Sequence, residues 1–237
     1  DFIEGAAPPS VNPSLWRQAK LNGYHGLFEV VPGIHQVRGY DVSNMTLIEG
    51  RTGWIVVDPL TAEETAAAAI ALARKHLGDR KVSAVIFTHS HVDHFGGVAS
   101  VLPADPAEAA AVPIIAPQHF MEEATSENVL AGIAMGRRAA FMYGLPLPRN
   151  AEGKVDTGLG KAPAKGTTGI RAPTILVDRT PQEMEIDGVK FVFQYTPESE
   201  APAELTFYLP ELKAWCGAEI VSHTLHNLYT LRGAKVR

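Results

Sequence analysis

Apolar and polar positions change period several times along this chain, and the changes mark its elements. From Gly26 the period is two. Phe28-Glu29-Val30-Val31 and Ile34-His35-Gln36-Val37-Arg38 read as strands joined by a turn at Pro32-Gly33. Met45-Thr46-Leu47-Ile48-Glu49 and Trp54-Ile55-Val56-Val57-Asp58 extend an antiparallel meander through a turn at Gly50 to Gly53. The period then becomes helical over 61–77. Thr61 and Glu64 have the spacing of a capping box, and Gly78 supplies the stop. Val85-Ile86-Phe87 and Pro113–Pro117 are short apolar strands, and a helix is expected from about His119 to Met142. Strands resume at 175–178, 184–186 and 189–195, with the last pair joined by a strong hairpin signal at Asp187-Gly188.

The stretches without period divide the chain. Residues 1–25 are Pro-rich and read as an N-terminal extended arm, with a helix start at Asn12-Pro13-Ser14. Residues 26–237 then form one α/β domain. Residues 103–112 read as an Ala/Pro-rich loop. Between Tyr143 and Thr174 lies a long segment rich in Gly, Pro and Lys. It lacks the P-loop spacing, so nucleotide binding is not supported. Long irregular segments in compact domains are usually binding loops or lids, and two readings stay open: donors facing an anionic substrate head, or a solvated loop.

Composition narrows the classes. At 237 residues and 46% hydrophobic, the chain is long enough to bury one large core. A net charge of −5 speaks against nucleic acid as a partner. No apolar run reaches the roughly 18 residues that span a bilayer, and neither a basic nor an apolar leader pattern opens the chain. The single Cys216 excludes an internal disulfide and reads as a buried apolar thiol, although it lies close to the acidic Glu219.

The candidate chemistry is concentrated in His89-Ser90-His91-Val92-Asp93-His94, which follows an apolar strand and precedes Gly96-Gly97. Neutral imidazoles and a carboxylate suit zinc and other divalent first-row ions. In an extended segment His89, His91 and Asp93 share one face while His94 points elsewhere. One loop would thus serve two neighbouring ions. The glycine pair allows a sharp turn where side chains would crowd the metals. His25 and His35 read as strand or loop residues, His76 as a cation in the last turn of a helix, and His119 as a weaker site candidate.

This motif at a strand end resembles the metallo-β-lactamase superfamily, which implies an αββα sandwich with its site at the edge of two packed sheets. There an Asp in the place of Asp58 supports the metal loop from behind the ligands. Two departures sharpen the resemblance. Thr196-Pro197-Glu198-Ser199-Glu200-Ala201-Pro202-Ala203-Glu204 stands where most of the superfamily has T-P-G-H-T-P-G, and Ala218-Glu219 stands where it has Gly-Asp. Together with Ser222-His223-Thr224-Leu225-His226-Asn227-Leu228 and Thr230-Leu231-Arg232-Gly233, they resemble the alkylsulfatase (dodecyl-sulfate hydrolase) branch.

That resemblance implies two Zn2+ per active site. His89, His91 and Glu200 would hold the first, Asp93 and His94 the second, and Glu219 would bridge them. Glu200 is preferred to Glu198 because it immediately precedes Ala-Pro. Arg232 is the candidate sulfate clamp, since a guanidinium matches a tetrahedral oxyanion. His223 is a candidate acid, although core or supporting roles rank first for it and for His226. The implied activity is hydrolysis of alkyl sulfate esters, a small-molecule substrate class. Alternatives are another binuclear-metal hydrolase, acting on a phosphoester, lactone or thioester, and a catalytically dead metal-binding scaffold. The family continues past the place of Arg237 with a final His ligand, a dimerisation region and a sterol-carrier-like domain. By resemblance the chain is therefore expected to be a fragment of a homodimeric, periplasmic or secreted protein.

Overall fold

The computed structural model describes residues 2–222. Two sheets face each other within them. The larger has seven strands in chain order: β1 (Gly26–Val31), β2 (Ile34–Arg38), β3 (Met45–Glu49), β4 (Trp54–Val57), β5 (Val82–Ile86), β6 (Ile114–Pro117) and β7 (Ile175–Val177). The expected meander accounts for β1 to β4, which pair antiparallel. From β4 onward the pairing is parallel, with α2 (Glu63–Leu77) as the first crossover. The smaller sheet is an antiparallel ribbon of β8 (Gln182–Ile186), β9 (Val189–Tyr195), β10 (Leu205–Leu209) and β11 (Ala214–Cys216).

Side-chain alternation decides the layers. Trp54, Val56, Val85 and Phe87 face outward onto Ala66, Ala69, Ile70 and Ala73 of α2. Ile55, Val57, Ala84 and Ile86 face inward onto Phe191, Phe193, Leu205 and Phe207 of the small sheet. Burial on both faces is why β4, β5 and β6 read as near-continuous apolar runs. Sequence reading missed β10, although Leu205, Phe207 and Leu209 alternate and Pro210 ends the run.

Several local expectations change. The capping box does not form: Ala62 caps α2 without a side-chain bond, and Glu64 instead accepts from Thr167 N and Oγ1. Residues within 103–112 are not wholly loop, because Asp105 caps a short helix α3 (Pro106–Ala111) through Ala107 N and Glu108 N. The helix expected at 119–142 is broken into α4 (Phe120–Thr125), a π turn (Ser126–Leu130) and α5 (Gly132–Tyr143).

The N-terminal arm contains α1 (Pro13–Leu21), at the expected helix start, and Asn12 caps it. Ile3, Val11, Trp16 and Ala19 pack with Val155 in a small cluster outside the two main cores. Asn22 donates to Asp156, Lys161 to Ala19 O, and Ser10 to Ala151 O. The long segment is thereby braced by the arm at one end. Further on, its donors are used inside the fold: Ala164 N reaches Asp41, Thr167 N reaches Glu64 and Gly169 N reaches Gly96 O. These three amides do not face a substrate.

Candidate metal centre

β4 and β5 run parallel, so their carboxyl ends place Asp58 and Thr88 side by side. Ligand sites in such sheets lie outside these ends. Asp58 adopts a left-handed backbone (φ 55°), which an Asp tolerates better than a branched residue. Its Oδ1 accepts Thr88 N at 2.8 Å and its Oδ2 accepts Thr88 Oγ1 at 2.7 Å. Oδ2 also lies 2.8 Å from His94 Nδ1, and Thr88 Oγ1 lies 2.8 Å from His89 Nδ1. One buried carboxylate therefore orients two imidazoles, His94 directly and His89 through a hydroxyl.

Beyond His91 the chain tightens into a 3-10 turn, Val92–His94. This overturns the extended geometry expected there. His94 does not point away but returns to the other rings, its centroid 4.0 Å from that of His89, with His91 4.8 Å from His89. The reason for the glycines also changes. A Cβ on Gly96 would overlap Thr61 O, and one on Gly97 would overlap Pro59 O. The pair admits the close approach of the 59–61 backbone, so that segment and not the centre itself forbids side chains.

Glu200 comes from the loop between β9 and β10, and a residue overlooked in sequence sets that loop. Glu204 is fully buried, and its Oε2 accepts Ser199 Oγ, Glu200 N and Ala201 N at 2.8–2.9 Å. Its backbone bridges to His89. Burial pushes the Glu204 carboxyl up, only partly opposed by the nearby His89 and by the bond from Ala201 N. The signal was present as the second Glu of Glu200-Ala201-Pro202-Ala203-Glu204, but nothing in the pattern told an anchor from a ligand.

The structure brings six predicted residues into two overlapping groups. His89, His91, Glu200 and Glu219 have donor atoms within 4.8 Å of one another, and so have Asp93, His94 and Glu219. Glu200 Oε2 lies 3.5 Å from His89 Nε2 and 3.1 Å from His91 Nδ1. Glu219, just after β11, lies 3.5 Å from His89 Nε2 and 3.6 Å from His94 Nε2. Asp93 Oδ2 is 3.3 Å from His94 Nε2. Glu198 belongs to neither group and is exposed. His119 is outside both and pairs with Glu122 at 2.6 Å. His223 and Arg232 lie outside the described residues.

The donor set fits a divalent cation. Among the described residues, buried His89 Nε2 and His94 Nε2 face the groups without a hydrogen-bond partner, an arrangement that is costly unless something else satisfies them. Burial opposes charge on His94, yet Asp93, Asp58 and Glu219 outweigh it and raise its pKa well above the usual imidazole range. The same carboxylates favour any cation placed among the rings. Cys216 is nearby, but burial pushes its thiol up to about 12, so it stays protonated at neutral pH. Beside Asp93 opens a cavity of about 270 Å3 lined by Val92, Met135, Ala139, Tyr143 and Leu145. No helix among the described residues is long and apolar enough to cross a membrane.

Residues 38–216 match the metallo-beta-lactamase superfamily. The chain is 51% identical over 98% of its length to a linear primary-alkylsulfatase of Pseudomonas sp, covering 34% of that protein. It is 48% identical over 100% of its length to the alkyl/aryl-sulfatase BDS1 of Saccharomyces cerevisiae, covering 37% of it. Among solved structures, the stereoselective inverting sec-alkylsulfatase Pisa1 from Pseudomonas sp. superposes with a TM-score of 0.86 at 44% identity, over 90% of this chain and 34% of that one. The chain thus spans about a third of the length of the curated relatives it matches.

Proposed function

Because this chain belongs to the metallo-β-lactamase superfamily over residues 38–216, we propose that its histidine–carboxylate centre hydrolyses sulfate esters, with alkyl sulfates as the substrate class. The observation that carries the proposal is the convergence of the two donor groups on the shared Glu219. The alkylsulfatase relatives and the apolar cavity beside Asp93 support it. His89, His91 and Glu200 would hold one ion, and Asp93 and His94 a second, with Glu219 common to both; zinc suits this set. Ions so held supply Lewis acidity toward a sulfate oxygen and toward water near neutral pH.

The protein's own part is preorganisation. Asp58 would keep a proton on His94 Nδ1, and the Thr88 hydroxyl one on His89 Nδ1, so that each Nε2 is the nitrogen an ion would take, displacing the second proton of His94. Val92, Met135, Tyr143 and Leu145 offer an apolar tail a dry wall next to the charged centre. Arg232 is proposed to clamp the sulfate. The test is to load the protein with zinc and assay inorganic sulfate released from decyl or dodecyl sulfate, with phosphoesters and lactones in parallel. Metal-dependent sulfate release supports the proposal. Turnover of phosphoesters or lactones alone, or zinc binding without any turnover, rejects it.

A further inference from the structure

We propose that Glu127 is the positioning carboxylate of His91, an assignment that rests on the metal-binding reading above. His94 and His89 each offer Nε2 to the centre and have Nδ1 held from behind, by Asp58 and by Thr88. His91 is turned the other way. Its Nδ1 faces the centre, 3.1 Å from Glu200 Oε2, and its Nε2 therefore points outward. There it meets Glu127 Oε2 at 3.6 Å. An imidazole that gives Nδ1 to a cation carries its proton on Nε2, and a carboxylate at that nitrogen fixes both tautomer and ring plane. At 3.6 Å the contact is a little longer than a hydrogen bond, and a small side-chain rotation converts it into one.

Local backbone geometry delivers this side chain. α4 passes into α5 through the π turn Ser126–Leu130, where one turn holds an extra residue and the faces shift phase. Val129 and Leu130 are left 72% and 82% exposed, whereas the Glu127 side chain is turned inward and only 21% exposed. Asn128 Nδ2 donates back to Ala124 O within the widened turn. Such insertions are rare in helices and concentrate at functional sites. Glu127 also lines the cavity beside Asp93, Met135 and Tyr143. The π turn that walls the cavity together with α5 thus also carries the carboxylate that faces His91.

The test compares Glu127→Ala and Glu127→Gln with Val129→Ala, a control in the same turn. Metal affinity is read by competition with a chromophoric chelator, and ligand geometry by the visible spectrum of the Co2+ form. Glu127→Ala is expected to weaken one of the two sites about 10–100-fold and to shift its Co2+ bands. Glu127→Gln, which keeps an oxygen acceptor and the side-chain volume, should fall between, and Val129→Ala should match the parent. Parent-like affinity and spectrum in Glu127→Ala overturn the proposal, even if thermal stability falls, because that result means a purely structural role. If Glu127→Ala does not fold, a parent-like Glu127→Gln overturns it. A parent protein that binds no divalent ion overturns the metal reading as well, whereas normal metal binding without sulfate release overturns only the sulfatase reading.

Discussion

Replacing Asp58 with Asn tests whether one buried carboxylate sets the protons of two imidazoles. Asn is nearly isosteric and tolerates the left-handed backbone at 58, so the fold should survive. The amide oxygen remains where Thr88 N donates, which places the NH2 at the position of Oδ2. A donor then faces His94 Nδ1, 2.8 Å away in the parent, and the ring is stable only with its proton moved to Nε2. The reversal propagates, because the Thr88 hydroxyl now accepts from the amide and donates to His89 Nδ1. Both Nε2 atoms that face the acidic groups become protonated and stop being donors. Loss of an imidazole's orienting partner costs metal affinity by about 10–100-fold, or about 1.4–2.8 kcal/mol for each group. Chelator competition with Zn2+ or Co2+ measures the loss, and circular dichroism and a thermal melt show that the fold persists. Thr88→Val is the control, since it cuts the route to His89 and leaves the contact from Asp58 to His94. Asp58→Asn should weaken both groups, and Thr88→Val only the one containing His89. Parent-like affinity in a folded Asp58→Asn protein would refute the reasoning.

Glu204→Ala removes the acceptor of three donors, leaving Glu200 N and Ala201 N unpaired near the core. The expected cost is about 1–3 kcal/mol for each unsatisfied group, with metal lost from the His89–His91–Glu200 set before the other, which metal counting at limiting chelator will show. Asp187 gives a pH prediction. Burial pushes its carboxyl up, but bonds from Ser83, Thr52 and Gly53 outweigh this, and its pKa is lowered in the folded protein. A depressed carboxylate contributes stability above its unfolded value of about 3.9, lost as pH falls through the folded value. Urea melts from pH 7 down to 3 should therefore show a fall that Asp187→Asn reduces; an unchanged pH dependence in the variant contradicts the assignment.

What was legible in the sequence depended on how far apart the interacting residues stand. The His-x-His-x-Asp-His spacing is local, and strand alternation around β4 and β5 carries the two-layer core in its own pattern. The direction of His94 was misread because a 3-10 turn replaces extended backbone, and no apolar period marks so short a turn. Glu64 was given to the start of its own helix, yet its carboxylate goes to Thr167, 103 residues away. Glu204 and Glu127 have the same difficulty. A buried anchor, a ligand and a solvated acid are identical letters, and only the residues around them tell the roles apart. The two donor groups nevertheless bring together the same residues as the sets implied by the family resemblance, because these side chains stand close to strand ends.

The arm helix and the segment it braces form a small apolar cluster of their own, separate from the two main cores. Regions so attached open at lower free energy than the core. Amide exchange should show 13–21 and 151–161 opening as one unit while the strands stay closed. Pro163, on one wall of the cavity, follows directly from that unit. The first twenty residues thus hold the 151–161 segment from outside the sheets, through Ser10 on Ala151 O and Ala19 O on Lys161. Clipping them would remove those two bonds and the apolar cluster around Trp16, while every donor atom of the two groups comes from elsewhere in the chain.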